Sequence, residues 1–117
     1  MATVTPTYTT DQSGYTTITW TPIVTGDTIV ASRKLGQSYR YHASITFTGT
    51  FGGATLTMSG SNNDSAYVTL KDLNSTAVSV TATAAGFEVV SAMPYLKPTV
   101  SGGVADSTTV IAVIRRT

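Results

Sequence analysis

From Tyr39 to Thr48 every second residue is apolar or aromatic. Tyr39, Tyr41, Ala43, Ile45 and Phe47 alternate with Arg40, His42, Ser44, Thr46 and Thr48. Successive side chains on a strand point to opposite faces, so this run predicts a long, half-buried strand. Shorter runs repeat the pattern. Ile18 and Trp20 alternate with Thr17, Thr19 and Thr21, and Leu56 and Met58 with Thr55, Thr57 and Ser59. Val68 and Leu70 flank Thr69, Val78 and Val80 flank Ser79, Phe87 and Val89 flank Glu88, and Leu96 and Val100 bracket Lys97-Pro98-Thr99. Thr109 to Ile114 is apolar on both faces and reads as a central strand.

Turn signals separate these runs: Gly26-Asp27, Gly52-Gly53, Ser59 to Asp64, Asp72 to Ser75, Gly86 and Ser101 to Asp106. A strand every 8–12 residues or so is the rhythm of a sandwich or barrel. No long window carries the helical period, and Thr81 to Ala85 reads as a strand connection. The expected fold is all-β, a β-sandwich of jelly-roll or immunoglobulin-like type with about eight strands. Its predicted core is Ile18, Trp20, Ile45, Phe47, Leu56, Met58, Val68, Leu70, Val80, Val89, Leu96, Val110 and Ala112. The two glycine pairs, Gly52-Gly53 and Gly102-Gly103, each precede a threonine-rich strand and predict two similar hairpins. Pro6 lacks a ladder donor, so residues 1–13 read as an edge strand or, by preference, an arm. Residues 14–117 form the single sandwich domain, as a chain of 117 residues allows.

Composition narrows the function classes. Charged residues are 11% of the chain and the net charge is +1, against an ordinary charged fraction of about 25%. Such a chain has no strong field for nucleic acid or anionic lipid. Serine and threonine supply the polar surface. There is no cysteine, so neither disulfides nor a thiolate metal site hold the fold. Met1 is followed by Ala2-Thr3-Val4-Thr5-Pro6, without the basic and apolar regions of a secretory leader. Val110 to Ile114 is too short to cross a bilayer.

The residues that could carry catalysis are few and scattered. Glu88 is the single glutamate and His42 the single histidine. Asp11, Asp27, Asp64, Asp72 and Asp106 lie in or beside turn sequences, where a carboxylate caps backbone N–H groups. No Gly-x-Ser-x-Gly elbow accompanies His42. One histidine without cysteine is too few for zinc, and Ser61 to Ser65 lacks the spaced acids and closing glutamate of a calcium loop. The expectation is no enzyme, no cofactor and no metal. Arg33, Lys34, Tyr39, Arg40 and Tyr41 form the one basic, aromatic group, a pattern enriched at protein interfaces. Partner contacts are expected from Val4, Pro6 and Tyr8 on the amino-terminal segment and from Arg33, Tyr39 and Arg40.

Three stretches carry a resemblance. Thr50-Phe51-Gly52-Gly53-Ala54-Thr55-Leu56-Thr57-Met58-Ser59-Gly60-Ser61-Asn62-Asn63-Asp64 is similar to the GTFGGATVTxxGSNDG stretch of small virion proteins of tailed bacteriophages. Trp20-Thr21-Pro22 with Gly26-Asp27-Thr28 resembles their WTPxxxGDT, and Tyr95 to Gly103 their RYIRPRVTGG. The resemblance runs in order from about Gly14 to Arg116. Tyr67 stands where members often have tryptophan, Ser65 replaces the turn glycine, and Lys97 replaces an arginine. The resemblance implies a capsid decoration, or cement, protein made in the host cytoplasm and carried on the capsid surface. Its implied partner is the major capsid protein, and its implied oligomer a trimer. The Gly-Ser-Asn-Asn-Asp turn followed by an aromatic and Tyr-Leu-Lys also resembles jelly-roll domains that bind sugars, so a carbohydrate-binding or tail-fibre module is the alternative.

Overall fold

The computed structural model describes residues 2–12, 14–35 and 40–116. Its strands are β1 (Thr3–Val4), β2 (Thr7–Thr10), β3 (Thr16–Ile23), β4 (Thr28–Ile29), β5 (Tyr41–Thr50), β6 (Thr55–Ser61), β7 (Val68–Thr69), β8 (Ser79–Thr81), β9 (Ala85–Ser91), β10 (Tyr95–Ser101) and β11 (Ser107–Arg116). The expected all-β class holds, and the arrangement is consistent with a β-sandwich. The surplus over eight strands comes from short elements such as β1, β4 and β7.

One sheet has the order β2-β3-β11-β5-β9 and is antiparallel throughout. β11, the strand apolar on both faces, lies at its centre. In the second sheet β10 pairs with β6 along its whole length, from Tyr95↔Ser61 to Ser101↔Thr55. β7 and β8 therefore share the other edge of β6. A two-residue parallel pair, β1-β4, closes one side.

The period-two pattern fixes which side chains face inward. Ile18 and Trp20 of β3, Tyr41, Ala43, Ile45 and Phe47 of β5, and Val110, Ala112 and Ile114 of β11 are buried in one core with Leu56 and Met58 of β6 and Leu96 of β10. Each fully buried large side chain stabilises the fold by roughly 1.5–3 kcal/mol. The Phe47 and Phe87 rings meet edge to face, with centroids 5.9 Å apart. Buried Trp20 donates its indole N–H to the Val30 carbonyl at 2.9 Å. Among the described residues, no buried side-chain nitrogen or oxygen lacks a hydrogen-bond partner.

Pro98 sits inside β10 at no cost to the ladder. Ser32 N–H donates to the Leu96 carbonyl, and Leu96 N–H to Ser32 Oγ. The Leu96 backbone groups therefore face away from β6, and by alternation those of Pro98 face the same way. Its missing donor falls on the edge, where proline is tolerated.

Five sequence expectations are corrected. Val68 is 54% exposed, because β7 is a two-residue strand at the sheet margin. Gly86 lies within β9, opposite Thr46, and Ser59 to Ser61 complete β6. The glycine pairs do not close hairpins: each carries the chain from one sheet to the other, β5 to β6 and β10 to β11. The amino-terminal segment is not a loose arm. β2 is an edge strand paired with β3 in register Thr7↔Thr19, and Thr28 N–H and Val30 N–H donate to the Ala2 and Val4 carbonyls.

Candidate functional site

The two glycine-paired crossovers reach the same end of the sandwich, together with the β3–β4 turn. Their backbones are tied directly. Val104 N–H donates to the Gly52 carbonyl at 3.0 Å, and Gly103 N–H to Thr25 Oγ1 at 2.9 Å. Thr25 in turn donates its N–H and its hydroxyl to Asp106 Oδ2, at 3.0 and 2.9 Å. The buried Asp106 carboxylate thus ties the β3–β4 turn to the β10–β11 crossover, and the Val104–Gly52 bond brings in the β5–β6 crossover. Ala82 N–H donates to the Ala54 carbonyl, joining the β8–β9 connection to the same knot.

Close packing at this end demands glycine. Gly52 has φ +55, and a Cβ there would stand 2.1 Å from the Val104 carbonyl oxygen. A Cβ on Gly103 would fall 2.6 Å from Asp106 Cγ and 2.8 Å from Ala54 Cβ. Asp27 accepts N–H bonds from Ala2 and Val24, both at 3.0 Å. These backbone donors hold its carboxyl below the usual aspartate range. Residues 21–29, 50–55, 81–86 and 101–109 contain no lysine or arginine. The side chains of these segments are therefore mostly small, and their carboxylates, Asp27 and Asp106, are engaged in hydrogen bonds. Val104, 78% exposed, projects from this end.

The opposite end carries polar chemistry on the outer face of the five-stranded sheet. The pairings Arg115↔His42 and Ser44↔Glu88 gather these four residues at one corner. His42 Nε2 lies 2.5 Å from Glu88 Oε1, and Ser44 Oγ donates to both Glu88 oxygens at 2.8 and 3.0 Å. Arg115 approaches His42 Nδ1 and the Tyr15 hydroxyl, each at 3.4 Å. A guanidinium only donates, so in the neutral ring Nδ1 accepts and Nε2–H donates to Glu88. The Ser44 bond, then His42 and Arg115, hold the Glu88 carboxyl below its ordinary value. This arrangement is not a nucleophile–base–orienter relay. The serine bonds the carboxylate, and the base has no bond to the serine.

The residues expected to touch a partner separate into two groups. Val4 and Pro6 are buried inside the chain's own fold. Tyr8 and Arg33 meet: the Tyr8 hydroxyl accepts Arg33 N–H at 2.7 Å, and the guanidinium lies 4.2 Å above the Tyr8 ring. Arg40 is exposed, and Tyr39 lies outside the described residues.

The turn reading of the aspartates fits Asp11, Asp27 and Asp72, which accept nearby N–H bonds. It misses Asp106, whose partner is 81 residues away, and Asp64, which accepts the Tyr67 hydroxyl. Burial and that bond to Asp64 push the Tyr67 hydroxyl well above its ordinary range. Asn63 Oδ1 accepts the Ser65 and Ala66 N–H groups and the Ser61 hydroxyl, so the oxygen-rich tip satisfies itself. Among the described residues, no three histidine or acidic groups converge to hold a metal ion. The sequence reading did not connect His42 with Glu88. Both were placed on polar faces, but pairing of β5 with β9 leaves no trace in local pattern. Comparison of the chain with family models, with curated proteins and with solved structures returned no match.

Proposed function

We propose that this chain is a structural protein of a bacteriophage particle, a capsid decoration protein with a jelly-roll- or immunoglobulin-like sandwich. It would bind the assembled shell and stabilise joints between major capsid subunits. The observation that carries this reading is that part of each of the three phage-like stretches meets the others at one end of the molecule, while the rest of two of them runs along β6 and β10 to the opposite end. Trp20 to Thr28, Thr50 to Thr55 and Pro98 to Gly103 are remote in sequence, yet Thr25, Gly52, Gly103 and Asp106 bind them into one knot. That end is small-residued and free of lysine and arginine, which suits close approach to another protein surface.

The mechanism is mass action. A protein that binds only the expanded lattice stabilises it in proportion to RT ln(1 + [L]/Kd). Trimerisation would multiply weak contacts through effective concentration.

The test is to mix purified protein with expanded and unexpanded capsids of the encoding phage and to image the particles. Hundreds of copies on expanded shells, with a raised disruption temperature, support decoration. A few copies at the tail, or none, refute it. The sugar-binding alternative has weaker support. The turn, Tyr67 and Lys97 do come together, but the Lys97 ammonium lies 4.2 Å over the Tyr67 ring, where a sugar would stack.

A further inference from the structure

The seven cations of this chain are spent unlike those of an ordinary domain. Among the described residues no lysine or arginine forms a salt bridge with a carboxylate; the one contact of that kind is His42 Nε2 on Glu88, ionic only when the ring is protonated. The aspartates accept backbone N–H or hydroxyl groups instead, as described above. Three of the arginines collect at one end of the five-stranded sheet. Arg115 lies opposite His42, Arg116 follows it on β11 opposite Tyr41, and exposed Arg40 immediately precedes Tyr41. Two carboxylates lie at this corner: Glu88, whose oxygens are engaged by Ser44 and His42 and whose charge Arg115 also stabilises, and Asp11, which accepts Tyr15 N–H at 3.0 Å. Arg115 makes only long contacts, 3.4 Å to the Tyr15 hydroxyl and 3.4 Å to His42, with its guanidinium 5.7 Å from the Tyr15 ring centroid.

Beside the arginines the outer face turns apolar. Tyr15 and Val90 are 38% and 39% exposed, and Ile111 and Val113 are half-buried. Arginine and tyrosine around an apolar strip is the composition of interface anchors. An unpaired guanidinium presents a planar fork that matches a carboxylate. The geometry points to this corner, Arg40, Arg115, Tyr15 and Val90, as a docking surface for a protein partner that presents carboxylates. This is a different end of the molecule from the glycine-rich knot, and it does not depend on the shell reading.

The probe is fluorescein-labelled poly-L-glutamate, which carries carboxylates on a polypeptide. Binding is followed by anisotropy against NaCl concentration, with polygalacturonate as competitor. Two double variants of equal charge change are compared, Arg40→Glu/Arg115→Glu and Lys71→Glu/Lys97→Glu, after thermal melting confirms that each folds. Arg40→Gln/Arg115→Gln and Lys71→Gln/Lys97→Gln replace the pair if either does not. The corner is supported if the arginine variant binds roughly ten-fold more weakly, as loss of charge-assisted contacts implies, while the lysine variant binds like wild type. Equal losses in both variants would mean net charge alone and overturn the site. So would an unchanged arginine variant, no salt dependence, or stronger binding of polygalacturonate than of polyglutamate. Capsid binding plays no part in these readouts, so failure here and failure of the decoration reading are separate results.

Discussion

At the scale of single residues, neighbouring glycines have different obligations. Gly52 and Gly53 both have positive φ, +55 and +84. A Cβ on Gly53 meets nothing within 4 Å, whereas one on Gly52 collides with the Val104 carbonyl. Gly53→Ala should therefore cost only the backbone penalty, about 1–2 kcal/mol. Gly52→Ala should cost clearly more, because the crossover itself must move, and urea titration of the pair reads the difference. Asp106→Ala would strand the Thr25 donors in a buried site, a loss of about 1–3 kcal/mol by the same measurement. Glu88 gives a pH signature. Its folded carboxyl titrates below its unfolded value, so its contribution is present above the ordinary glutamate range and lost as pH falls through the folded value. The side chain is 53% exposed, so solvent screening keeps the effect small. The melting temperature of Glu88→Gln should lie slightly below wild type at neutral pH and converge with it as pH falls below the folded carboxyl's value, where both side chains are neutral.

At the scale of elements, the amino-terminal segment makes the sharpest prediction. Its Val4 side chain is 6% exposed and its backbone carries bonds from Thr28 and Val30. Removing residues 1–6 should lower stability by at least the roughly 1.5–3 kcal/mol of one buried aliphatic side chain. A dispensable arm would leave the melting curve unmoved. This contrast also marks where local pattern stops being informative. Alternation located β3, β5, β6, β9, β10 and β11 because each buries one face over several residues. It went astray at Val68, where two residues are too few to show a period, and at Gly86, a glycine inside a strand. It preferred an arm at Thr3 to Thr10 because threonine and Pro6 say little about pairing. The hydrogen-bonded knot was invisible for another reason. Asp106 and Thr25 look like ordinary turn residues, and only the packing of two sheets brings them together across 81 positions.

At the scale of the whole molecule, the chain is polar in the electrical sense. One end holds Arg40, Arg115 and Arg116, while the other contains no lysine or arginine and offers glycine, alanine and the projecting Val104. Stability and binding can therefore be separated at Val104. Its side chain is 78% exposed, so Val104→Asp removes almost no burial and should change folding stability by no more than about 0.5 kcal/mol, as surface changes do. Its backbone bond to Gly52 survives the substitution. If this end meets the shell, a carboxylate placed at its tip must be desolvated against another protein without a lysine or arginine of its own chain at this end. Occupancy on expanded capsids, counted by imaging at matched protein concentration, should then fall sharply while the melting temperature stays that of wild type. Full occupancy by the Val104→Asp variant would move the shell contact away from the knot and leave the arginine corner as the surface to test next.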